Sequence, residues 1–304
     1  MLFDFGALVV GLVLLVYGSN RIVASATSLA RHAGVSTFFI GVTVVAVGSS
    51  IPEIATSVYG AAYDTGGFVV SHIVGSATSQ ITLGIGVVAL AGTLTVPREK
   101  TRLYGAEMVL AMAAMLLAVR SGVVTRLEGV LMAAGYAAFL AVGYEHDDYQ
   151  SMVERHTADR GPRTVAWLVV GLSMVVAGGH LLVTGARGVA VAVGVPWYLL
   201  GVVTGLGTTA PEIAIALLAV RRSEESVAVG TLLGSNITDP LFSLGVGAAV
   251  DGIVVEQPDT AVVSTAYMLA ASVAVLAVLY RQRTVRWRDA TLCLLLYVPT
   301  FLIR

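Results

Sequence analysis

Charged residues are scarce in this chain of 304 residues. Asp, Glu, Lys and Arg together make up 12% of the sequence, about half of the fraction found in a soluble domain. The few charges are grouped between long apolar stretches, and the mean hydropathy is +0.86. This composition excludes an ordinary soluble domain and predicts an integral membrane protein, for which the lipid bilayer is the expected partner.

Cysteine is almost absent, since Cys293 is the single one. One thiol excludes a disulfide framework and a metal site built from cysteines. The sequence also lacks a His-Glu-x-x-His zinc motif and an evident nucleophile–base pair, so we expect no enzyme and no cofactor. The net formal charge is only −1, and nucleic acid is not an expected partner.

The apolar stretches predict ten membrane-spanning helices. A span needs roughly 20 apolar residues, and in lipid a helix satisfies all of its own backbone groups. The first run opens with Asp4 rather than a basic region and is too long for a removable signal peptide. The predicted spans are 2–31, 36–63, 68–91, 103–120, 124–144, 163–193, 197–220, 226–250, 260–280 and 287–303.

Basic residues lie in alternate connections between the predicted spans. Because cytoplasmic loops carry an excess of Lys and Arg, these four connections are expected on the cytoplasmic side of the plasma membrane, with both termini outside. The residues concerned are Arg98, Lys100, Arg102, Arg155, Arg160, Arg163, Arg221, Arg222, Arg281, Arg283, Arg286 and Arg288.

The chain contains two copies of one pattern. Residues 41–53 (GVTVVAVGSSIPE) recur as 201–212 (GVVTGLGTTAPE). Because the matched residues are mainly Gly, Pro, Ser, Thr and Glu, chance similarity of two apolar helices is a poor explanation. A constant offset of 159 residues relates Glu53 to Glu212, Ser76 to Ser235 and Gln80 to Asp239.

Each copy contains five predicted spans, and an odd number forces the second copy to cross the membrane in the opposite sense. Inverted repeats of this kind are typical of secondary transporters, whose site lies near the bilayer midplane. The predicted fold is therefore an all-α membrane protein of ten transmembrane helices in two inverted five-helix repeats. Residues 1–144 would form the first repeat, 145–162 a cytoplasmic linker and 163–304 the second repeat.

Three carboxylates lie deep in the apolar sequence, namely Glu53, Glu212 and Asp239. A charge at the bilayer centre costs at least about 2.5–3.5 kcal/mol, and these spans contain no Lys or Arg that could pair with them. A bound cation or a proton is the remaining way to hold each carboxylate. The sequence therefore predicts a cation site.

The neighbouring residues are suited to a cation. In both copies a Gly and two hydroxyl residues precede Pro-Glu, the hydroxyl pairs being Ser49-Ser50 and Thr208-Thr209. Gly and Pro should break spans 2 and 7 and leave carbonyls free to face an ion. Hydroxyl, carbonyl and carboxylate oxygens are the ligands that calcium prefers, with about 6–8 of them per ion.

A second pair of motifs adds polar groups. Ser76 and Gln80 are four residues apart, as are Ser235 and Asp239, so each pair shares one face of a helix. Gly75 precedes Ser76, and small residues of this kind allow close helix contact in membranes.

At these residues the sequence resembles the calcium/cation antiporter superfamily and, within it, the sodium/calcium exchanger family of prokaryotic type. The resemblance covers nearly the whole chain. It implies that Glu53 and Glu212 are central ligands shared by calcium and sodium, and that Asp239 and Gln80 complete the acidic and amide positions. It further implies hydroxyl or carbonyl oxygens from Ser49, Ser50, Ser76, Thr208, Thr209 and Ser235, and backbone carbonyls from Ala46 and Gly205.

Three positions depart from the family pattern. Gln80 stands where the family usually has Asn or Asp, Ala77 replaces a usual Asn, and His72 replaces another. The Gly-Ser-Ala of the first copy, together with Asp239 in the second, also resembles potassium-dependent exchangers. By resemblance, Ala46 and Gly205 match positions that supply backbone carbonyls, so the difference between alanine and glycine is expected to matter little.

The resemblance implies a secondary antiporter that exchanges Na⁺ for Ca²⁺ by alternating access, with spans 1 and 6 sliding against the remaining helices. A proton/calcium exchanger stays open, because buried carboxylates readily bind protons. A cation channel is the weaker alternative, since channels usually assemble one filter from several subunits. Both half-sites lie within this one chain, which is compatible with a monomer.

Overall fold

The computed structural model describes residues 2–32, 46–92, 94–95, 98–146, 162–221, 225–281, 284–285 and 287–303. The described residues are mostly helical. Within these described ranges, five helical segments are by themselves long and apolar enough to cross a membrane. These are Leu2–Ile22, Gly66–Ala91, Thr101–Val119, Arg163–Val193 and Pro258–Arg281.

In the first half of the chain the elements follow the apolar stretches closely. They are α1 (Leu2–His32), α2 (Ala46–Ser49), α3 (Ile51–Ala62), α4 (Gly66–Ser79), the π-helix π1 (Gln80–Gly84), α5 (Ile85–Ala91), β1 (Leu94–Thr95), α6 (Arg98–Val119), β2 (Val123–Val124) and α7 (Arg126–His146). The first ten residues of predicted span 2, 36–45, lie outside the described residues, as does most of the predicted linker, 147–161.

The second half repeats this order. Its elements are α8 (Pro162–Val193), α9 (Trp197–Thr208), α10 (Ala210–Arg221), α11 (Glu225–Thr238), π2 (Asp239–Ser243), α12 (Leu244–Asp251), β3 (Ile253–Val254), α13 (Pro258–Arg281), β4 (Thr284–Val285), α14 (Trp287–Leu295) and a 3₁₀ turn (Val298–Phe301). The predicted span 287–303 is therefore not one continuous helix. Its helix ends at Leu295, and Pro299, which has no N–H to donate, lies in the following turn.

Two helices are interrupted at the repeated motifs. Ser50 separates α2 from α3, and Thr209 separates α9 from α10. Pro52 lies in the first turn of α3, where its missing N–H leaves no intrahelical bond unmade. The interruptions fall beside Glu53 and Glu212, as the Gly and Pro residues predict.

Two π-helical turns begin at the other pair of site residues. π1 starts at Gln80 and π2 at Asp239, which are 159 residues apart. Each turn continues an α-helix on both sides. A π-helical turn inside an α-helix frequently marks a functional site, and the sequence pattern did not predict either one.

Short strands join the connections at the helix ends. β1 pairs antiparallel with β4, with Leu94 opposite Val285, and β2 pairs antiparallel with β3, with Val123 opposite Val254. The connection between predicted spans 3 and 4 therefore lies on the same face as that between spans 9 and 10. The connection between spans 4 and 5 likewise lies with that between spans 8 and 9.

Glycines allow α1 and α8 to pack along their length. A Cβ added to Gly11 would lie 2.4 Å from the Leu182 backbone nitrogen, and one added to Gly185 would lie 2.4 Å from that of Leu8. A Cβ on Gly178 would be 2.8 Å from the Leu15 nitrogen. The two helices are therefore in backbone contact, in the way small residues permit in membranes.

Candidate cation-binding site

The predicted site residues come together between the two interrupted helices and the two π-helical turns. The fully buried ones are Ser50, Glu53, Ser76, Gln80, Thr208, Thr209, Glu212, Ser235 and Asp239. Ser49 is 4% exposed, and Gly205 is also buried. Ala46 is the first residue of α2. Ser49 of the first half and Ser235 of the second half meet in the site, where their hydroxyl oxygens are 3.4 Å apart.

Ser76 is central to the hydrogen bonds of the site. Its hydroxyl oxygen lies 3.0 Å from Glu53 Oε1, 3.3 Å from Asp239 Oδ2 and 3.1 Å from Thr209 Oγ1. A serine has one hydrogen to donate, so the two carboxylates share a single donor here. Thr208 Oγ1 donates to Glu53 Oε1 over 2.7 Å.

Gln80 forms a bridge within the site. Its Nε2 donates to Asp239 Oδ2 over 3.1 Å and to Ser76 Oγ over 3.2 Å. Its Oε1 accepts from Asn236 Nδ2 over 3.0 Å. The longer side chain, which departs from the family pattern, therefore turns its amide nitrogen toward the carboxylate and its oxygen toward Asn236.

Several carboxylate oxygens have no hydrogen-bond partner among the described residues. They are Glu53 Oε2, Asp239 Oδ1 and both oxygens of Glu212. The Ser49 hydroxyl lies near the Glu212 carboxylate, and the Ser50 hydroxyl lies near that of Asp239. Buried polar atoms nearly always have a hydrogen-bond partner, so these oxygens are available to a cation or a water molecule.

The carboxylates act on one another electrostatically. Glu212 interacts with the charges of both Glu53 and Asp239. In the part of the chain that the structure describes, no Lys or Arg pairs with them. The three carboxylates are not close enough to one another to hold a metal ion by themselves. An ion here would therefore also need hydroxyl and carbonyl oxygens.

His72 contacts the site from outside the predicted ligand set. The ring is fully buried, with Nδ1 2.9 Å from Thr204 Oγ1 and Nε2 3.5 Å from Thr208 Oγ1. In the sequence, His72 was noted only as a departure from the family pattern. Sequence reasoning missed Thr204, although its position one helical turn before Thr208 was a usable signal.

Two further polar residues were missed by sequence reasoning. Asn236 holds Gln80, and its position inside the repeated motif between Ser235 and Asp239 could have revealed it. Ser79 donates to Thr209 Oγ1 over 3.0 Å, and it follows Ser76 by three residues on the same helix face.

Backbone contact between α4 and α9 brings the site residues of these two helices within hydrogen-bond distance. A Cβ on Gly75 would lie 2.6 Å from Val202 Cα, and one on Gly205 would lie 2.2 Å from the His72 carbonyl oxygen. The difference between alanine at 46 and glycine at 205 therefore matters for packing, because a Cβ does not fit at Gly205. Its carbonyl oxygen accepts from Thr209 Oγ1 over 2.8 Å.

Buried carboxylates among neutral oxygens, held between interrupted helices of a membrane protein, define a carrier of inorganic cations. A family model described as sodium/calcium exchanger protein matches residues 3–144 and 163–303. The chain belongs to this family, and hence to the calcium/cation antiporters.

Individual relatives agree with this assignment. The chain is 35% identical over 259 residues to CaxA of Alkalimonas amylolytica, named as a candidate antiporter, with 79% of each chain covered. It is 25% identical over 288 residues to the sodium/calcium exchanger MaX1 of Methanosarcina acetivorans, covering 80% of this chain and 81% of the relative. The structure of the sodium-calcium exchanger NCX_Mj soaked with 2.5 mM Na⁺ and 1 mM Sr²⁺ superposes with a TM-score of 0.68 at 26% identity, covering 98% of this chain and 97% of that one.

Proposed function

We propose that this protein is a secondary active antiporter that exchanges Na⁺ for Ca²⁺ by alternating access at one shared site near the bilayer midplane. The observation that carries the proposal is the set of open, buried oxygens on Glu53, Glu212 and Asp239. Neutral oxygens of the hydroxyl residues and the carbonyls of Ala46 and Gly205 would complete the coordination, while Gln80 holds Asp239 in place beside the ion. The hydroxyl ligands are Ser49, Ser50, Ser76, Thr208, Thr209 and Ser235.

The charge of this site accounts for exchange rather than for a leak. Three ionised carboxylates carry a formal charge of −3, which one calcium ion or several sodium ions largely offset. The empty, fully charged site is costly in the membrane, whereas a loaded site is closer to neutral. Both cations compete for the same oxygens, so the site changes access mainly when it is loaded.

The proposed architecture consists of two inverted five-helix repeats, 1–144 and 163–304, joined by a linker at 145–162. The strand pairs support it. β3 follows β1 by 159 residues and β4 follows β2 by 161, so the pair β1–β4 corresponds to the pair β3–β2 on the other face. The interrupted helices and π-helical turns also correspond between halves, as an inverted repeat requires.

Alternating access would move α1 and α8 together. Their glycine-mediated backbone contacts support motion of the two helices as one unit against the rest. The orientation proposed from basic residues places the face with β1 and β4 toward the cytoplasm of the plasma membrane and both termini outside. Arg98 and Arg281, which flank these strands, lie on that face.

The first prediction tests the coupling ion. In proteoliposomes loaded with radioactive calcium, an outside-to-inside sodium gradient at equal pH should drive calcium efflux, because the two cations compete for the same site. A gradient of choline is the control. Calcium flux that follows only a pH gradient would assign proton coupling instead, and single-channel currents far above carrier turnover would assign a channel.

The second prediction concerns the Gln80 bridge. In Gln80→Asn the amide becomes one methylene shorter and cannot hold both Asp239 and Asn236, so the ratio of sodium to calcium affinity should change by about 2- to 10-fold. Turnover at saturating calcium should change little. Competition of sodium against calcium uptake measures the ratio.

A matched variant sharpens this test. Gln80→Glu keeps the length of the side chain but replaces the donor to Asp239 with a fourth carboxyl group in the site. Because added negative charge attracts a divalent ion more strongly than a monovalent one, this variant should change the ratio in favour of calcium. An unchanged ratio in Gln80→Asn would show that the bridge does not set ion preference.

A further inference from the structure

The hydroxyl hydrogen of Thr208 has three neighbouring acceptors among the described residues. They are Glu53 Oε1 at 2.7 Å, the Gly205 carbonyl oxygen at 3.0 Å and His72 Nε2 at 3.5 Å. Under the proposed function, on which this inference rests, Glu53 and Gly205 are cation ligands. His72 is then the acceptor in this group whose lone pair is not used by the cation.

The partners of Thr204 determine which ring nitrogen of His72 can accept. Thr204 Oγ1 lies 2.9 Å from the carbonyl oxygens of both Leu200 and Gly201, so its one hydrogen is donated to the backbone of its own helix. It must then accept from His72 Nδ1 at 2.9 Å. In a neutral imidazole with hydrogen on Nδ1, Nε2 is the acceptor.

The geometry points to His72 as the positioning residue for Thr208 when a cation is bound. A hydroxyl oxygen that coordinates a cation directs its lone pair to the ion and its hydrogen away from it. The Thr208 hydrogen leaves Glu53 and is accepted by His72 Nε2, after an approach of about half an ångström to normal hydrogen-bond length. Outer partners that orient ligands in this way commonly tune affinity at metal sites.

Close packing places the ring where this role requires it. Backbone contact at Gly75 and Gly205 brings α4 against α9, and Phe68 packs on the His72 ring with centroids 5.8 Å apart. The corresponding residue of the other half, 159 positions later, is Thr231, which carries no ring nitrogen. A histidine in this position therefore occurs only in the first half of the site.

Two variants of similar shape distinguish the loss of the Nε2 acceptor from a general loss of folding. In His72→Asn the amide can replace Nδ1 and keep the contact with Thr204, but nothing replaces Nε2. In His72→Gln the amide reaches the Nε2 position. We expect calcium affinity, measured by isothermal titration calorimetry on the purified protein, to fall about 3- to 10-fold in His72→Asn and by less than about 2-fold in His72→Gln.

A spectroscopic measurement adds a readout that a purely structural role would not change. In protein labelled with ¹⁵N-histidine, the Nε2 resonance that is missing from His72→Asn should shift when calcium is added. Equal affinity losses in the two variants, or a His72 resonance unaffected by calcium, would overturn the role of His72 while calcium binding itself stands. If the wild-type protein binds neither calcium nor sodium, the proposed function falls and this inference with it.

Discussion

Replacement of Glu212 by glutamine is expected to abolish calcium transport while the protein remains folded in the membrane. Both Glu212 oxygens are buried without a hydrogen-bond partner among the described residues, so both are free for a cation. Glutamine keeps the shape of the side chain but removes the charge and presents an NH₂ group in place of one oxygen. We expect at least about a 100-fold loss of calcium uptake in proteoliposomes, because a charged ligand is lost in a fully buried site.

The same loss is expected for Glu53→Gln, and thermal stability separates it from misfolding. Removal of a buried, unpaired charge should leave the melting temperature unchanged or raised in the absence of ions. Glu128→Gln is the matched control, since Glu128 accepts from Thr125 at the start of α7, outside the site. Normal exchange by both Glu53→Gln and Glu212→Gln would refute the assignment of the site.

Gly205→Ala should also inactivate the protein, through packing rather than through charge. The new Cβ would lie 2.2 Å from the His72 carbonyl oxygen and 2.7 Å from the Ser76 nitrogen. Backbone atoms cannot rotate away, so α4 and α9 must separate by about 1 Å, at a cost of about 1–3 kcal/mol. The contacts of Ser76 with Thr209 and of Thr208 with Glu53 then lengthen, and calcium uptake should fall at least about 10-fold.

Gly135→Ala provides the control for this packing prediction. Gly135 lies within α7, and a Cβ there would meet no atom within 4 Å. Because alanine favours helix over glycine by about 1 kcal/mol, this variant should be at least as stable as the wild type and equally active. Both variants are compared by thermal unfolding and calcium uptake. Equal behaviour of the two would show that the close contact of α4 with α9 is not required.

Much of the helical framework could be predicted from the sequence, because a bilayer allows little besides apolar helices of fixed length. The predicted spans 2–31 and 163–193 correspond closely to α1 and α8. The π-helical turns could not be predicted. They change which backbone groups pair, while the residues of Gln80–Gly84 keep the composition of an ordinary membrane helix.

The candidate site was predictable where the two copies repeat one another. Glu53, Glu212 and Asp239 could be recognised because a carboxylate within a membrane span is costly and therefore usually functional. The roles of Thr204, Asn236 and Gly205 depend on contacts between helices that are far apart in the sequence. A local sequence pattern does not predict the distances between such helices. For the same reason, the sequence showed that Gln80 is longer than the usual residue but not that it bridges Asp239 and Asn236.

The matching π-helical turns also affect the course of the helices. In such a turn each N–H pairs with the carbonyl five residues back rather than four, and a turn of this kind is one of the usual places at which a helix bends. Both halves contain it at the same register, beginning at Gln80 and Asp239. Each half therefore has a point of bending at the polar residue that it contributes to the site.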